Sequence, residues 1–496
     1  MKYLTPLAAT LLSMNVATAL HAAEASSYSS VQSEGTRPNI IMIFTDDLHY
    51  GALGVTGSVN TEAKTPNIDK IFNEGVIFPQ GYATHAVSAP SRAGLMTGRY
   101  QARFDFETLP GSTEERMEAR YGVSLDEVMM SDLLQDAGYK THAIGKWHLG
   151  ANPEFQPHNR GFDQWFGYRG SCGFYQFRSE NRAINLGQPL PPLDLTEKPN
   201  LDIVRNDESV HVRGYLTEAF AQEAREIILR EKEDPFFIYY APYNAHAPDI
   251  VPAHYIPEGG TKHDGVIAAL DVSVGVILDA LDEAGVADNT LVVFSNDNGG
   301  KREYSTTFNG GKATYYEGGV RVPFGMRWPN QIEAGSTFNG MVSTLDMLPT
   351  FAAAAGAEIP TGVELDGKDL LPFVKGEQAE GELRGVHFWR NTANRAVRDG
   401  DWKLVWVIDR GAHKAKLQEL GIEHFKGRKP IHAERDDALF GEPQLYNLAE
   451  DPQESNDLAR QYPELTERMV QIFKEWEATI PNWRDAEIAE ITAADD

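Results

Sequence analysis

The chain has 496 residues, 42% apolar and 24% charged, which supports a globular protein with a sizeable core. Its 45 Lys and Arg against 72 Asp and Glu give a net charge of −27, arguing against nucleic acid as a partner, since a phosphate-binding face must be basic. The single cysteine, Cys172, rules out a disulfide within the chain; it has no metal-ligand spacing around it and reads as structural or incidental.

The N-terminal stretch MKYLTPLAATLLSMNVATALHAAEASS joins one lysine, a short apolar run and small residues. It reads as a secretory signal peptide over 1–25, with small-x-small cleavage options ending at Ala19 or Ala25. It is too short for a membrane span, and no later run of about 18 apolar residues follows. The expected location is therefore outside the cytoplasm, periplasmic or secreted. Residues 26–36 are polar and Ser-rich, a disordered lead-in.

Four β-rich apolar runs of strand length come next, at 39–44, 139–144, 235–241 and 290–295. Between them lie helical patterns at 124–138, with Ser124 as N-cap, at 215–233 and at 265–285. This alternation predicts an α/β fold, a large mostly parallel central sheet with helices on both faces, over a catalytic domain at 37–380. A polar linker at 375–383 leads to an alternating segment, 386–408, with an Asp-Gly turn. That segment predicts an antiparallel hairpin, and with a last helix near 462–477 it forms a small C-terminal α+β subdomain over 381–496.

Each apolar run ends in polar residues. They are Thr45-Asp46-Asp47, then Lys146-Trp147-His148, then Asn244-Ala245-His246, then Asp297-Asn298-Gly299. In an open parallel sheet these carboxyl ends share one edge, where ligands bind. Asp46, Asp47, Asp297 and Asn298 suit a hard divalent cation, Ca²⁺ or Mg²⁺, although Asp and Asn also serve turns. Lys146, His148, His246 and Lys312 could clamp an anion and move protons, although any one of them could be a surface or core residue.

The segment SAPSRAGLMTGR at 88–99 resembles the maturation motif of the formylglycine-dependent sulfatases, in which Cys or Ser begins C/S-x-P-S-R. Ser88, Pro90, Ser91, Arg92, Leu95, Thr97, Gly98 and Arg99 fit it. GKWHLG at 145–150, TDD at 45–47, NDNG at 296–299 and GGKATYYEGGVRVP at 310–323 resemble further motifs in family order, and DWKLV and QLYNLAEDPQE resemble its tail. The resemblance covers nearly the whole chain beyond the leader. It implies an alkaline-phosphatase-like sandwich and a sulfuric ester hydrolase in which Ser88 is oxidised to Cα-formylglycine. One hydroxyl of the aldehyde hydrate attacks sulfur, and the other then loses a proton to expel sulfate.

By the same resemblance one Ca²⁺ is held by Asp46, Asp47, Asp297 and Asn298 with residue 88. Arg92 holds the hydrate, and Lys146 and Lys312 bind sulfate oxygens. His148 is the base on the second hydroxyl, and His246, beside Lys312, donates a proton to the leaving oxygen. A serine at 88 implies a radical-type maturase as a partner before export. Where members often carry a second His shortly after the position of His246, this chain has Asp249.

The expected substrate is a sulfated oligo- or polysaccharide of carrageenan type, or alternatively a glycosaminoglycan of the N-acetylgalactosamine-6-sulfate type. Trp165, Tyr168, Tyr175 and Arg178 could form a sugar platform or pack in the core. The loops at 150–215 and 408–440 are expected to set selectivity. A phosphomonoester or phosphonate hydrolase of the same superfold, or a binding protein with unmodified Ser88, are the other readings.

Overall fold

The computed structural model describes residues 37–108, 121–170, 178–192, 203–391, 394–409, 411–412 and 440–481. The leader at 1–25, the lead-in at 26–36, Cys172, Tyr175 and most of the 408–440 loop lie outside the described residues.

The runs Asn39–Thr45, Lys140–Lys146, Phe236–Ala241 and Thr290–Asn296 are all strands. With Gln164–Tyr168 they form the parallel centre of a ten-stranded sheet, in the order Thr290, Asn39, Phe236, Lys140, Gln164 by first residue. Short strands flank them; Gly325–Arg327 and Val204–Arg205 run antiparallel to the centre. Along the Asn39 strand, Ile40, Met42 and Phe44 enter one hydrophobic cluster, and Ile41 and Ile43 enter the other. Side chains alternate across a strand, so burial of both faces explains why this run is apolar throughout.

Helices cover both faces. Leu216–Glu231 and Lys262–Ala284 supply Ile227, Ile228, Ile277 and Leu281 to one cluster. Ser88–Thr97, Met130–Asp136 and Met347–Ala355 supply Ala89, Met96, Leu133 and Phe351 to the other.

The helix expected over 124–138 begins only at Met130. Arg160 donates to the carbonyls of Val123 at 3.0 Å, Ser124 at 3.2 Å and Glu127 at 2.9 Å, so these oxygens are engaged away from any helical ladder. Ser124 instead closes a turn, its hydroxyl accepting from Asp126 N at 3.3 Å. At the true start the Asp132 carboxylate accepts from Met129 N at 2.9 Å.

The segment expected to be one hairpin is two hairpins that share a strand. Val386–Arg390, Asn394–Asp399, Trp402–Val407 and Gln444–Asn447 make a four-stranded antiparallel sheet, with Gly400 at φ 59 turning between the second and third strands. The helix Pro463–Ala478 seals it with Met469, Phe473 and Trp476 against Val397, Leu404 and Leu445. This sheet is fastened to the segments that carry the site. Trp389 Nε1 donates to Ala83 O at 2.8 Å, and Lys403 Nζ lies 2.7 Å from Glu317 Oε1, both side chains fully buried.

Candidate active site

The parallel register aligns the strand ends. Thr45 pairs with Asn296, Gly145 with Ala241, and Lys146 with Tyr168. The polar residues after the four strands therefore meet at one edge. Asp47 and His148 both adopt left-handed backbone, φ 56 and φ 65, which Asp and His tolerate better than most residues.

Ser88 is the first residue of the Ser88–Thr97 helix, so the positive end of the helix dipole faces this edge. Its Oγ donates to Asp46 Oδ1 at 3.1 Å and lies 3.4 Å from Asn298 Oδ1. One helical turn on, Arg92 lies on the same helix face. Its Nε and Nη2 reach Asp297 Oδ2 at 3.1 and 2.8 Å, Nη1 donates to Tyr239 Oη at 2.9 Å, and Nη2 to Thr45 O at 3.3 Å. Lys146 Nζ lies 2.7 Å from Asp46 Oδ2, and Lys312 Nζ 2.7 Å from Asp47 Oδ2. Asn298 Nδ2 donates to Asp47 Oδ1 at 2.8 Å, and Asp47 N to Asp297 Oδ1 at 3.2 Å. His246 Nε2 lies 3.6 Å from Asp47 Oδ2. Asp46, Asp47, Ser88, Arg92, Lys146, His246, Asp297, Asn298 and Lys312 thus come to one place.

The donor set fits a hard cation. Asp46, Asp47 and His246 each offer a ligand atom, all within 4.8 Å of one another, a mainly oxygen set. His246, expected on the leaving-group side, therefore also borders the acidic cluster. Ser88 Oγ sits between the oxygens of Asp46 and Asn298, so the residue at 88 shares that cluster.

Burial and charge set the protonation states. Burial alone would raise Asp46, but Lys146, His246 and Arg92 bring it below the ordinary carboxylate value. Asp297 goes the other way, raised first by burial and then by the Asp46 charge beside it. Burial lowers Lys146 despite the opposing Asp46. Burial also lowers Lys312, but Asp47 and Asp46 outweigh it and hold its ammonium above the usual range. His148 lies well below the ordinary histidine value, first by burial and then by Lys146, Arg92 and Lys312, so its imidazole is neutral. Among the described residues, neither of its ring nitrogens has a hydrogen-bond partner.

Four supporting residues went unnoticed in the sequence. Thr45 Oγ1 donates to Asn296 Oδ1 at 2.8 Å, and Asn296 accepts from Leu48 N at 3.2 Å, which fixes the Asp46-Asp47 turn. Asn244 O accepts from Asp46 N at 2.9 Å, and Tyr239 holds Arg92. Asn296 and Asn244 lie inside quoted motifs and could have been found there. Tyr239 is an interior strand residue with no sequence signal.

The sugar platform is corrected in part. Trp165 and Tyr168 are 1% and 0% exposed and pack in the two core clusters, where a strand with both faces covered places them. Arg178 opens the helix Arg178–Asn185. Asp249 is half-buried and accepts from Tyr304 Oη at 3.0 Å, with His263 Nδ1 3.3 Å from its other oxygen.

A central parallel sheet with helices on both faces and an antiparallel C-terminal sheet make an alkaline-phosphatase-like fold, and its strand ends carry a buried serine ringed by carboxylates and cations. The chain belongs to the sulfatase family: residues 38–357 match the Sulfatase model, and 382–491 match the C-terminal region of aryl-sulfatase. It is a sulfuric ester hydrolase. It is 31% identical to human N-acetylgalactosamine-6-sulfatase over 481 residues, covering 90% of this chain and 86% of that protein. It is 32% identical to human arylsulfatase A, covering 88% and 86%. The solved structure of Ps i-CgsB in complex with k-i-k-neocarrahexaose superposes with a TM-score of 0.73 at 30% identity, covering 89% of this chain and 93% of that one.

Proposed function

We propose that this sulfatase removes sulfate from a sulfated carbohydrate, with residue 88 matured to formylglycine and one Ca²⁺ bound beside it. The observation that carries this reading is the convergence of Ser88 Oγ with the oxygens of Asp46 and Asn298, inside a ring formed by Lys146, Lys312, Arg92 and neutral His148. Such a pocket suits a small tetrahedral oxyanion in a chain that is acidic overall.

When present, the aldehyde hydrate supplies a nucleophile with a second ionisable hydroxyl, and the cation lowers its proton affinity and neutralises ester oxygens. Asp46, Asp47, Asp297 and Asn298 hold the cation. Arg92, fixed on Asp297 and Tyr239, orients residue 88 from one turn away. Lys146 and Lys312 take sulfate oxygens, which draws them from the carboxylates. His148, neutral and unpartnered, accepts the proton that releases sulfate. His246 is only partly buried, unlike Lys146 and His148, which suits it to hand a proton to the departing oxygen.

Two relatives with different names and one neighbour solved in complex with k-i-k-neocarrahexaose match this chain at about the same identity, so identity does not choose among them. The carbohydrate class is favoured because one neighbour carries an oligosaccharide, with a carrageenan-type sugar preferred and an N-acetylgalactosamine 6-sulfate as the alternative. Export follows the leader-like N-terminus, and among the described residues no helix is long and apolar enough to cross a membrane. A radical-type maturase acting before export supplies the oxidation of Ser88.

Two measurements test the proposal. Mass spectrometry of the Ser88 peptide from the native host should show a species lighter by two hydrogens; unmodified serine in active enzyme overturns the mechanism. Sulfate release should exceed phosphate release from matched aryl esters, and the reverse order favours a phosphoester hydrolase.

A further inference from the structure

The segment after His246 holds a carboxylate to which the proposed mechanism gives no role. Asp249 lies three residues after His246, and its side chain is 21% exposed, close to the 17% of His246 and the 27% of Lys312. The residues deeper in the pocket are almost fully buried. Both Asp249 oxygens are held: Tyr304 Oη donates to Oδ2 at 3.0 Å, and His263 Nδ1 stands 3.3 Å from Oδ1. The two holders are themselves fixed, with the His263 and Tyr304 rings stacked 3.7 Å apart at 7°. His49, two residues after Asp47, backs the stack at 5.8 Å from His263. The carboxylate is therefore rigid, and each of its oxygens keeps a lone pair for another donor. His263 and Tyr304 also hold it below the ordinary carboxylate value against the effect of burial.

A fixed carboxylate three residues after His246, gripped by Tyr304 of the loop that leads to Lys312, suits the alcohol half of the ester rather than the sulfate half. Its chemistry favours a hydroxyl donor and repels a second anion. We propose that Asp249 determines specificity by accepting a hydrogen bond from a free hydroxyl of the sugar that carries the ester, and by disfavouring sugars sulfated at that hydroxyl. This inference rests on the carbohydrate reading above.

The test uses the matured full-length enzyme with 4-nitrophenyl sulfate, N-acetylgalactosamine 6-sulfate and sulfated carra-oligosaccharides. Asp249→Ala should lower the ratio of kcat/KM on the preferred sugar to kcat/KM on the aryl ester by about 10- to 100-fold, the range for losing a hydrogen bond to a charged group. Asp249→Asn keeps an acceptor and should retain more of that ratio, while narrowing the preference for singly over doubly sulfated sugar. Tyr304→Phe loosens the carboxylate and should move the ratio the same way by a smaller factor, through KM. An unchanged ratio in Asp249→Ala overturns the assignment and leaves the sulfatase reading intact, as does an equal fall on both substrates. A wild-type enzyme that turns over the aryl ester and neither sugar overturns the carbohydrate reading and this inference together.

Discussion

Arg92 and Asp297 form an ion pair with both side chains at 0% exposure, two guanidinium nitrogens reaching a single carboxylate oxygen. The pair ties the helix that begins at Ser88 to the end of the Thr290–Asn296 strand, so it sets where residue 88 stands relative to the acidic cluster. Replacing Arg92 by Leu leaves a buried carboxylate without its partner. The expected cost is about 3–5 kcal/mol of stability, together with loss of turnover. Arg92→Lys keeps the charge but cannot reach Asp297, Tyr239 and Thr45 at once, so it should recover part of the stability and little activity. Urea unfolding and kcat on an aryl sulfate check both; a Leu variant with unchanged unfolding would refute the role given to the pair.

The C-terminal sheet braces the catalytic loop through Lys403. Its ammonium lies 2.7 Å from Glu317 and 3.0 Å from Glu454, and Glu317 begins the short helix just after Lys312. The two carboxylates differ: despite burial, Lys403, Arg321 and Arg398 hold Glu317 down to about 2, whereas burial pushes Glu454 up to about 7. Lys403→Met brings the carboxylates together without their shared cation. It should destabilise by about 3 kcal/mol or more and raise KM through displacement of Lys312. Adding Glu454→Gln removes one carboxylate charge and should restore part of the loss, a coupling that a double-mutant cycle reads directly.

Much of the site was legible because its residues sit at strand ends. Asp46, Lys146, His246 and Asp297 each follow an apolar run, and a parallel sheet brings such ends together whatever the intervening chain does. Other features depended on partners far along the chain. Ser124 reads as a helix cap, but Arg160 takes the carbonyls around it. Trp165 and Tyr168 read equally as a sugar platform or as core, and only the neighbouring strands decide for core. Asp249 was visible as a departure from a motif, but its clamp by His263 and Tyr304 joins residues with no local pattern.

The carboxylates of Asp46, Asp47 and Asp297 repel one another without a cation, so Ca²⁺ should bind the folded chain far better than the unfolded one. At a concentration about 100 times Kd that preference is worth about 2.7 kcal/mol. Thermal unfolding should therefore shift upward with Ca²⁺ and downward with a chelator, and Asp47→Asn should shrink the shift. A melting temperature indifferent to Ca²⁺ would count against the ligand set.

Acid should destabilise this protein through histidines outside the chemistry. Burial lowers His142 to about 4 and His85 to about 3, and it takes His387 well below the ordinary value. His49 falls to about 4 for the same reason, followed by the charge of His263. Because the folded value lies below the unfolded one, the unfolded chain binds protons first; the stability is present above about pH 6.5 and drains away toward pH 4. Buried carboxyls oppose this, Asp297 and Asp346 among them, both raised first by burial. Asp271 is pushed up to about 6 and Glu454 to about 7, both first by burial, so falling pH returns stability through them. A shift of about 2.5 units corresponds to roughly 3 kcal/mol, so one lowered histidine and one raised carboxyl act with similar weight and opposite sign. Each of these histidines should lower the urea midpoint at pH 5 relative to pH 7. His142 gives the cleanest check, since among the described residues neither of its ring nitrogens has a hydrogen-bond partner, Glu231 Oε1 stands off at 3.9 Å, and it lies near the start of a strand. His142→Leu should be neutral or stabilising at pH 7 and should narrow the difference between the two pH values; a variant with the same pH dependence as the wild type would show that the acid sensitivity arises elsewhere.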